Sequence, residues 1–159
     1  MEKVNIRVSE IFVSNKAITI ETSGVGSCIV VCLFDKEAKI GAMSHSMLPT
    51  GKKYAKTDME IAMNKPGKYV DSAIHNMIKN IEALGGKRDR IKAKIAGGAE
   101  MFSYLSNAHI NIGKENVQIA RDTLKELNIP IVGESIGGSA GRVVGFDLNT
   151  FSMNVVVKI

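Results

Sequence analysis

Thr22-Ser23-Gly24-Val25-Gly26-Ser27-Cys28-Ile29-Val30-Val31-Cys32-Leu33-Phe34-Asp35 decides how this chain folds. Its second half, from Cys28, is almost wholly apolar and of strand length, which marks a strand buried on both faces. Its first half is polar and carries two glycines, so the backbone can turn sharply just before Cys28. Downstream, Lys36–Lys39 forms a polar break, and Ile40–Leu48 is a second strand stopped by Pro49. The simplest arrangement is an antiparallel hairpin. An even-length loop, either Lys36-Glu37 or Lys36–Lys39, makes paired residue numbers sum to 73 or 75. A sum of 73 sets Cys28 opposite His45 with Cβ atoms about 4.5–5.5 Å apart. A sum of 75 makes them diagonal neighbours on the same face, whereas an odd-length loop puts them on opposite faces.

Outward from this hairpin the pattern is mixed. Val4, Ile6 and Val8 alternate with polar residues, and Ala17–Glu21 is another short strand. Residues 50–68 are lysine-rich and read as a long surface connection. Val70, Ala73, Ile74, Met77, Ile78, Ile81 and Leu84 recur on one helical face, and Gly85-Gly86 supplies the stop. Ile91, Ala93 and Ile95 form a strand entering Gly97-Gly98. A second helix over Lys114–Leu127 turns Val117, Ala120, Leu124 and Leu127 inward. Ile129–Val132, Arg142–Asp147 and Met153–Lys158 complete about eight strands. Strands and helices do not alternate regularly, so the expected class is α+β. The expected architecture is a mixed or antiparallel β-sandwich flanked by two main helices, as one domain over residues 1–159.

Composition narrows the function. With 159 residues, 45% of them hydrophobic, the chain can enclose a core and is not a disordered segment. Its longest apolar run, Ile29–Phe34, is far short of the roughly 20 residues of a membrane helix. The net charge of +5 is mild, and aromatics at 5% with no Trp argue against stacking platforms for single-stranded nucleic acid. Lys52–Lys56 and Lys87-Arg88-Asp89-Arg90 can meet an acidic partner or simply face solvent. The opening Met1-Glu2-Lys3-Val4 lacks a basic-then-apolar leader, which points to the cytoplasm. Four residues apart in a strand, Cys28 and Cys32 lie about 13 Å from each other, too far for a disulfide. Cys-x-x-x-Cys with three scattered histidines has no zinc spacing, so neither metal nor cofactor is expected.

A thiol beside an imidazole is the chemically loaded pair. A neighbouring His⁺ lowers a thiol from its usual ~8.5, and the thiolate attacks acyl carbons. Backbone N–H groups of Gly26, Ser27 and Cys28 are placed to hold the resulting oxyanion. The plainer alternative is that Cys28 only packs, as Cys32 is expected to do. His75 reads as helix surface and His109 as loop. Met43, Met47, Met59, Met63 and Met77 read as gap-filling core and loop anchors. Gly137–Gly141 before Arg142 can offer amides to a phosphate, but it lacks the Gly-Lys-Ser/Thr ending of a P-loop.

Gly24-Val25-Gly26-Ser27-Cys28-Ile29-Val30-Val31-Cys32-Leu33-Phe34-Asp35 resembles the G-x-G-S-C-x-x-V-x-L-[YF]-D segment of the CheD family of chemoreceptor glutamine deamidases. Met43-Ser44-His45-Ser46-Met47-Leu48-Pro49 is similar to its M-[AS]-H-x-M-L-P segment, and Lys94–Met101 to its K-[IVL]-x-G-G-A-x-M stretch. Ile112–Val117 and Gly137–Arg142 resemble its I-G-x-[RK]-N and G-G-x-x-G-R loops, with Glu115 intruding between Lys114 and Asn116. The resemblance runs in order along nearly the whole chain. It implies a cysteine-hydrolase-like sandwich with Cys28 as nucleophile, His45 as its histidine and Thr22 as the third residue. It also implies hydrolysis of glutamine side-chain amides on chemoreceptor cytoplasmic helices to glutamate and ammonia, and a CheC-type phosphatase as regulatory partner. A receptor- and phosphatase-binding adaptor without catalysis, and an esterase acting on glutamyl methyl esters, are the competing readings. Met101-Phe102 reads equally as a docking patch or as core.

Overall fold

The apolar run beginning at Ile29 forms the middle strand of the molecule. In the computed structural model, which describes residues 2–101 and 111–158, β4 (Ile29–Asp35) and β5 (Ile40–Ser46) are buried at every position. They pair antiparallel with Asp35 opposite Ile40, Cys32 opposite Met43 and Val30 opposite His45, so paired numbers sum to 75. The loop is Lys36–Lys39, closed by Lys39 in the left-handed region at φ 58°. The even parity expected from sequence therefore holds.

Seven further strands complete two sheets among the described residues. β1 (Lys3–Asn5), β3 (Thr19–Val25), β8 (Gly141–Asp147) and β9 (Ser152–Lys158) form a four-stranded outer sheet in the order β1-β3-β8-β9. β2 (Ile11–Ser14), β6 (Lys92–Gly97) and β7 (Ile131–Ile136) join the hairpin in a five-stranded inner sheet, β2-β5-β4-β6-β7. Two pairings are parallel, β1 with β3 and β6 with β7; the rest are antiparallel.

The period of two in β4 divides the core into two layers. Ile29, Val31 and Leu33 meet Val70, Ile74, Met77, Ile78 and Ile81 of α3 (Val70–Ala83) and Ala120 and Leu124 of α4 (Ile112–Glu126). Val30, Cys32 and Phe34 face the outer sheet, packing with Ile20, Val144, Phe146 and Phe151. Both main helices thus lie on the inner sheet, and the order of layers is helices, inner sheet, outer sheet.

Several local readings are corrected. Residues 50–68 contain two short helices, α1 (Gly51–Tyr54) and α2 (Asp58–Met63), capped by Thr50 and Thr57. Thr22–Val25 is not a free turn but the end of β3, which carries a register shift between Thr22 and Val25. Met59 and Met63 are 70% and 80% exposed, so they are not core filler as Met43 and Met77 are. The cluster at Arg88–Arg90 is a 3-10 turn whose Arg90 binds the fully buried Asp35 carboxylate at 2.9–3.1 Å. The guanidinium and the Lys87 and Ala38 N–H groups hold that carboxyl below its usual range, outweighing the cost of burial. Phe102 and His109 lie outside the described residues, whereas His75 is on the surface as expected.

Candidate active site

β4 and β5 set His45 opposite Val30, and Cys28, in the turn just before β4, packs with the same core cluster as Val30. That cluster faces the outer sheet, which contributes Thr22 from β3. Thr22 Oγ1 lies 2.7 Å from His45 Nδ1, and both residues are only 2% exposed. The three residues named from sequence are thus gathered at one rim of the interlayer, two from the inner sheet and one from the outer.

Residues 6–10 strap this rim together. Ile6 N–H donates to Glu21 O in the outer sheet, while Ser9 N–H donates to His45 O and His45 N–H to Glu10 O. The Thr22 hydroxyl donates to Ile6 O at 2.9 Å. A hydroxyl has one proton, so with that proton on Ile6 its oxygen must accept from His45. Nδ1 therefore carries hydrogen, and Nε2 presents a lone pair. Nε2 is buried and has no hydrogen-bond partner among the described residues.

The turn that carries Cys28 is held from behind. The Gly26 carbonyl accepts from Ala99 N–H at 2.9 Å, the Ser27 carbonyl from Asn116 Nδ2 at 2.8 Å, and the Cys28 carbonyl from Gly98 N–H at 2.8 Å. In a trans peptide the N–H points opposite the preceding carbonyl. Ser27 N–H and Cys28 N–H thus turn away from these anchors, toward the side of the turn that carries the Cys28 thiol. Gly97, at φ 114°, must be glycine because a Cβ there would overlap the Cys28 carbonyl. Met101 lies over the same turn: a Cβ on Gly26 would come 3.2 Å from its Cγ.

Burial sets the protonation states. It pushes the half-buried Cys28 thiol up, with the residue's own N–H pulling the other way by less. It pushes the His45 imidazole down to about 4. The expectation of a thiol lowered by a charged histidine does not describe this unliganded site, where thiol and imidazole are both neutral. The physical reason is desolvation: no carboxylate stands behind His45 to stabilise imidazolium, only a hydroxyl. Cys32, fully buried and pushed strongly upward, is a core residue as expected. Among the described residues no cluster of His, Cys, Asp or Glu has the shape of a metal site.

Asn116 was quoted for its motif but given no role from sequence. Its side chain is fully buried and reaches both Ser27 and Met47, whose carbonyls it binds at 2.8 and 3.3 Å. The readable signal lay in the small residues around it. A Cβ at Gly113 would strike the Ala99 carbonyl, so the first turn of α4 sits tightly on the Gly97–Ala99 bend. The intruding Glu115 turns outward and ties α1 to α4, accepting from Lys53 Nζ at 2.7 Å and from the Tyr54 hydroxyl at 3.1 Å.

A family model described as CheD chemotactic sensory transduction matches residues 47–157. Among curated relatives, a chemoreceptor glutamine deamidase CheD of Halalkalibacterium halodurans is 39% identical over 153 residues, covering 96% of this chain and 91% of that protein. The protein of the same description from Thermotoga maritima is 40% identical, with 94% and 88% covered. A probable chemoreceptor glutamine deamidase CheD of Thermococcus kodakarensis is 34% identical, with 93% and 88% covered.

Proposed function

The chain belongs to the CheD family, and on that footing we propose that it deamidates chemoreceptor glutamines through Cys28, His45 and Thr22. The observation that carries this mechanism is the hydrogen-bond chain from Ile6 O through Thr22 to His45 Nδ1, which leaves Nε2 as a base on the face that holds Cys28.

The steps follow from neutral partners. As Cys28 Sγ attacks the side-chain carbonyl carbon of a glutamine, the thiol proton passes to His45 Nε2, so no resting thiolate is needed. Negative charge moves to the amide oxygen, where Ser27 and Cys28 N–H, with Gly26 beside them, supply donors. The tetrahedral adduct collapses as imidazolium protonates the leaving nitrogen, releasing ammonia and a thioester. Water then gives its proton to Nε2 and attacks the thioester, releasing glutamate and the thiol. Thr22 keeps the imidazole in the useful tautomer throughout but, being uncharged, stabilises imidazolium less than a carboxylate does. We therefore expect a slow enzyme, with kcat below the enzyme median of roughly 10 per second.

No described helix is long and apolar enough to cross a membrane. We assign the reaction to the cytoplasm, where receptor signalling helices are exposed, and residues 1–159 to one catalytic unit. A CheC-type phosphatase is assigned as partner on the resemblance alone.

The test is ammonia release from a chemoreceptor cytoplasmic fragment, with glutamate formation followed by mass spectrometry. Cys28→Ala and His45→Ala should abolish both, and Thr22→Val should lower kcat about ten- to hundredfold by freeing the tautomer. Receptor binding with no ammonia from the unaltered protein would favour the adaptor reading. Full activity in Cys28→Ala would overturn the mechanism.

A further inference from the structure

We propose that Asn116 is a positioning residue for the deamidation, an inference that rests on the Cys28–His45 reading. It uses both protons of one amide to tie the nucleophile's turn to the strand end that carries the base.

The geometry is specific. Ser27, whose carbonyl takes the 2.8 Å bond, immediately precedes Cys28; Met47, whose carbonyl takes the 3.3 Å bond, follows His45 by two residues. Neither Cys28 nor Met47 belongs to the β4–β5 ladder, which ends at Ile29 opposite Ser46. Beyond that last pair, no hydrogen bond between the two chain segments fixes how far Cys28 stands from His45. Asn116 supplies the missing cross-tie from a third element, the second turn of α4.

The orientation of the amide is forced. Exchanging oxygen and nitrogen would set Oδ1 against two carbonyl oxygens, so Nδ2 must face them. Oδ1 then lies buried without a partner among the described residues, although Asn116 is completely inaccessible to solvent. An orphaned buried acceptor is destabilising, and an apolar side chain of similar shape would not carry it. The site thus tolerates a poor core residue for the sake of its donor end.

Its rigidity is shared with the bend behind the nucleophile. Gly113 packs on the Gly98 and Ala99 carbonyls, and the Gly98 and Ala99 N–H groups hold the Cys28 and Gly26 carbonyls. Helix, bend and turn form one block, and Asn116 is the member that also reaches the His45 strand. Loss of that reach frees the sulfur relative to Nε2 while changing no solvent-exposed side chain, since Asn116 is fully buried. Misplacement by an ångström costs on the order of a hundredfold in rate.

The experiment compares unaltered protein with Asn116→Leu, which has nearly the same shape but no donor, and with Asn116→Ser, which is small and keeps one. Deamidation of the receptor fragment is measured alongside melting temperature and the pH dependence of Cys28 alkylation by iodoacetamide. Asn116→Leu should lower kcat roughly tenfold to a hundredfold with KM for the fragment little changed. Its alkylation profile should move toward that of His45→Ala, because the thiol has lost its base. Asn116→Ser should fall between, and it carries the test alone if Asn116→Leu does not fold. A folded variant with unaltered kcat overturns the proposal, as does a variant whose kcat falls only with its folded fraction while the alkylation profile stays put. Activity surviving in Cys28→Ala would instead remove the underlying mechanism, so the two failures are distinguishable.

Discussion

Cys32 sits within β4 and Cys28 in the turn just before it, both packed on the side facing the outer sheet, yet they inhabit opposite kinds of surroundings. Cys32 lies in the dry interlayer beside Met43 and Val30, near the rings of Phe34, Phe146 and Phe151, whose centroids are 5.1–6.1 Å apart. Cys28 lies at the rim, half-buried against the core cluster that faces the outer sheet, on the side where His45 meets Thr22. One end of the interlayer satisfies its groups by packing. The other keeps buried atoms with no partner among the described residues, His45 Nε2 among them. Stability is concentrated at the aromatic end, and the polar end gives up some of it for chemistry.

Iodoacetamide sharpens this contrast most. Cys28 is reachable in the folded protein, whereas Cys32 must wait for the sheets to part. Cys28 should label faster by about a thousandfold or more, the ratio reflecting the rarity of global opening. Comparable labelling of both thiols, read by peptide mass spectrometry, would break the comparison.

Phe146→Ala strikes the other end. Removing a fully buried ring that touches Phe34 and Phe151 should cost about 3–5 kcal/mol in denaturant unfolding. Turnover per folded molecule should stay near that of the unaltered protein. A selective loss of kcat in well-folded Phe146→Ala would mean the two ends are not separable.

Acid provides the third comparison. His45 is held at about 4, below the ordinary 6.5 of an unfolded chain. The unfolded state therefore takes up a proton first, and stability falls as pH drops from about 6.5 toward 4. The full difference amounts to about 3 kcal/mol. His45→Gln should lose much less over that window, because the aromatic end contributes no such linkage. Parallel acid-unfolding curves for the two proteins would contradict the assignment.

The inner hairpin was readable because two constraints reinforced each other. An all-apolar strand allows only a buried position, and an even loop allows only one facing of Cys28 and His45. The helical faces were readable from apolar spacing, as the burial of Val70 through Ile81 bears out. β2 was missed because all four of its residues, Ile11–Ser14, are half-buried and give no alternation. α2 carried a signal that could have been used, the Thr-x-x-Glu pattern of Thr57 and Glu60: Thr57 accepts from Glu60 N–H at 3.0 Å, while the Glu60 carboxylate accepts from Lys56 N–H at 2.8 Å. Thr22 came from family resemblance alone, because no periodicity tells which residue of one sheet will face which residue of another. Asn116 escaped for the same reason. Its partners are 69 and 89 residues away, and only the packed helix shows why it is there.

The division of Thr22 and His45 between two sheets has a consequence for the growing polypeptide. Thr22 is brought to His45 from β3, and β3 gains its main partner only when β8 has been made, more than a hundred residues later. A nascent chain emerging from the ribosome can therefore form the β4–β5 ribbon while the hydroxyl that meets His45 remains unplaced. The contact that fixes the imidazole's tautomer is thus among the last to form.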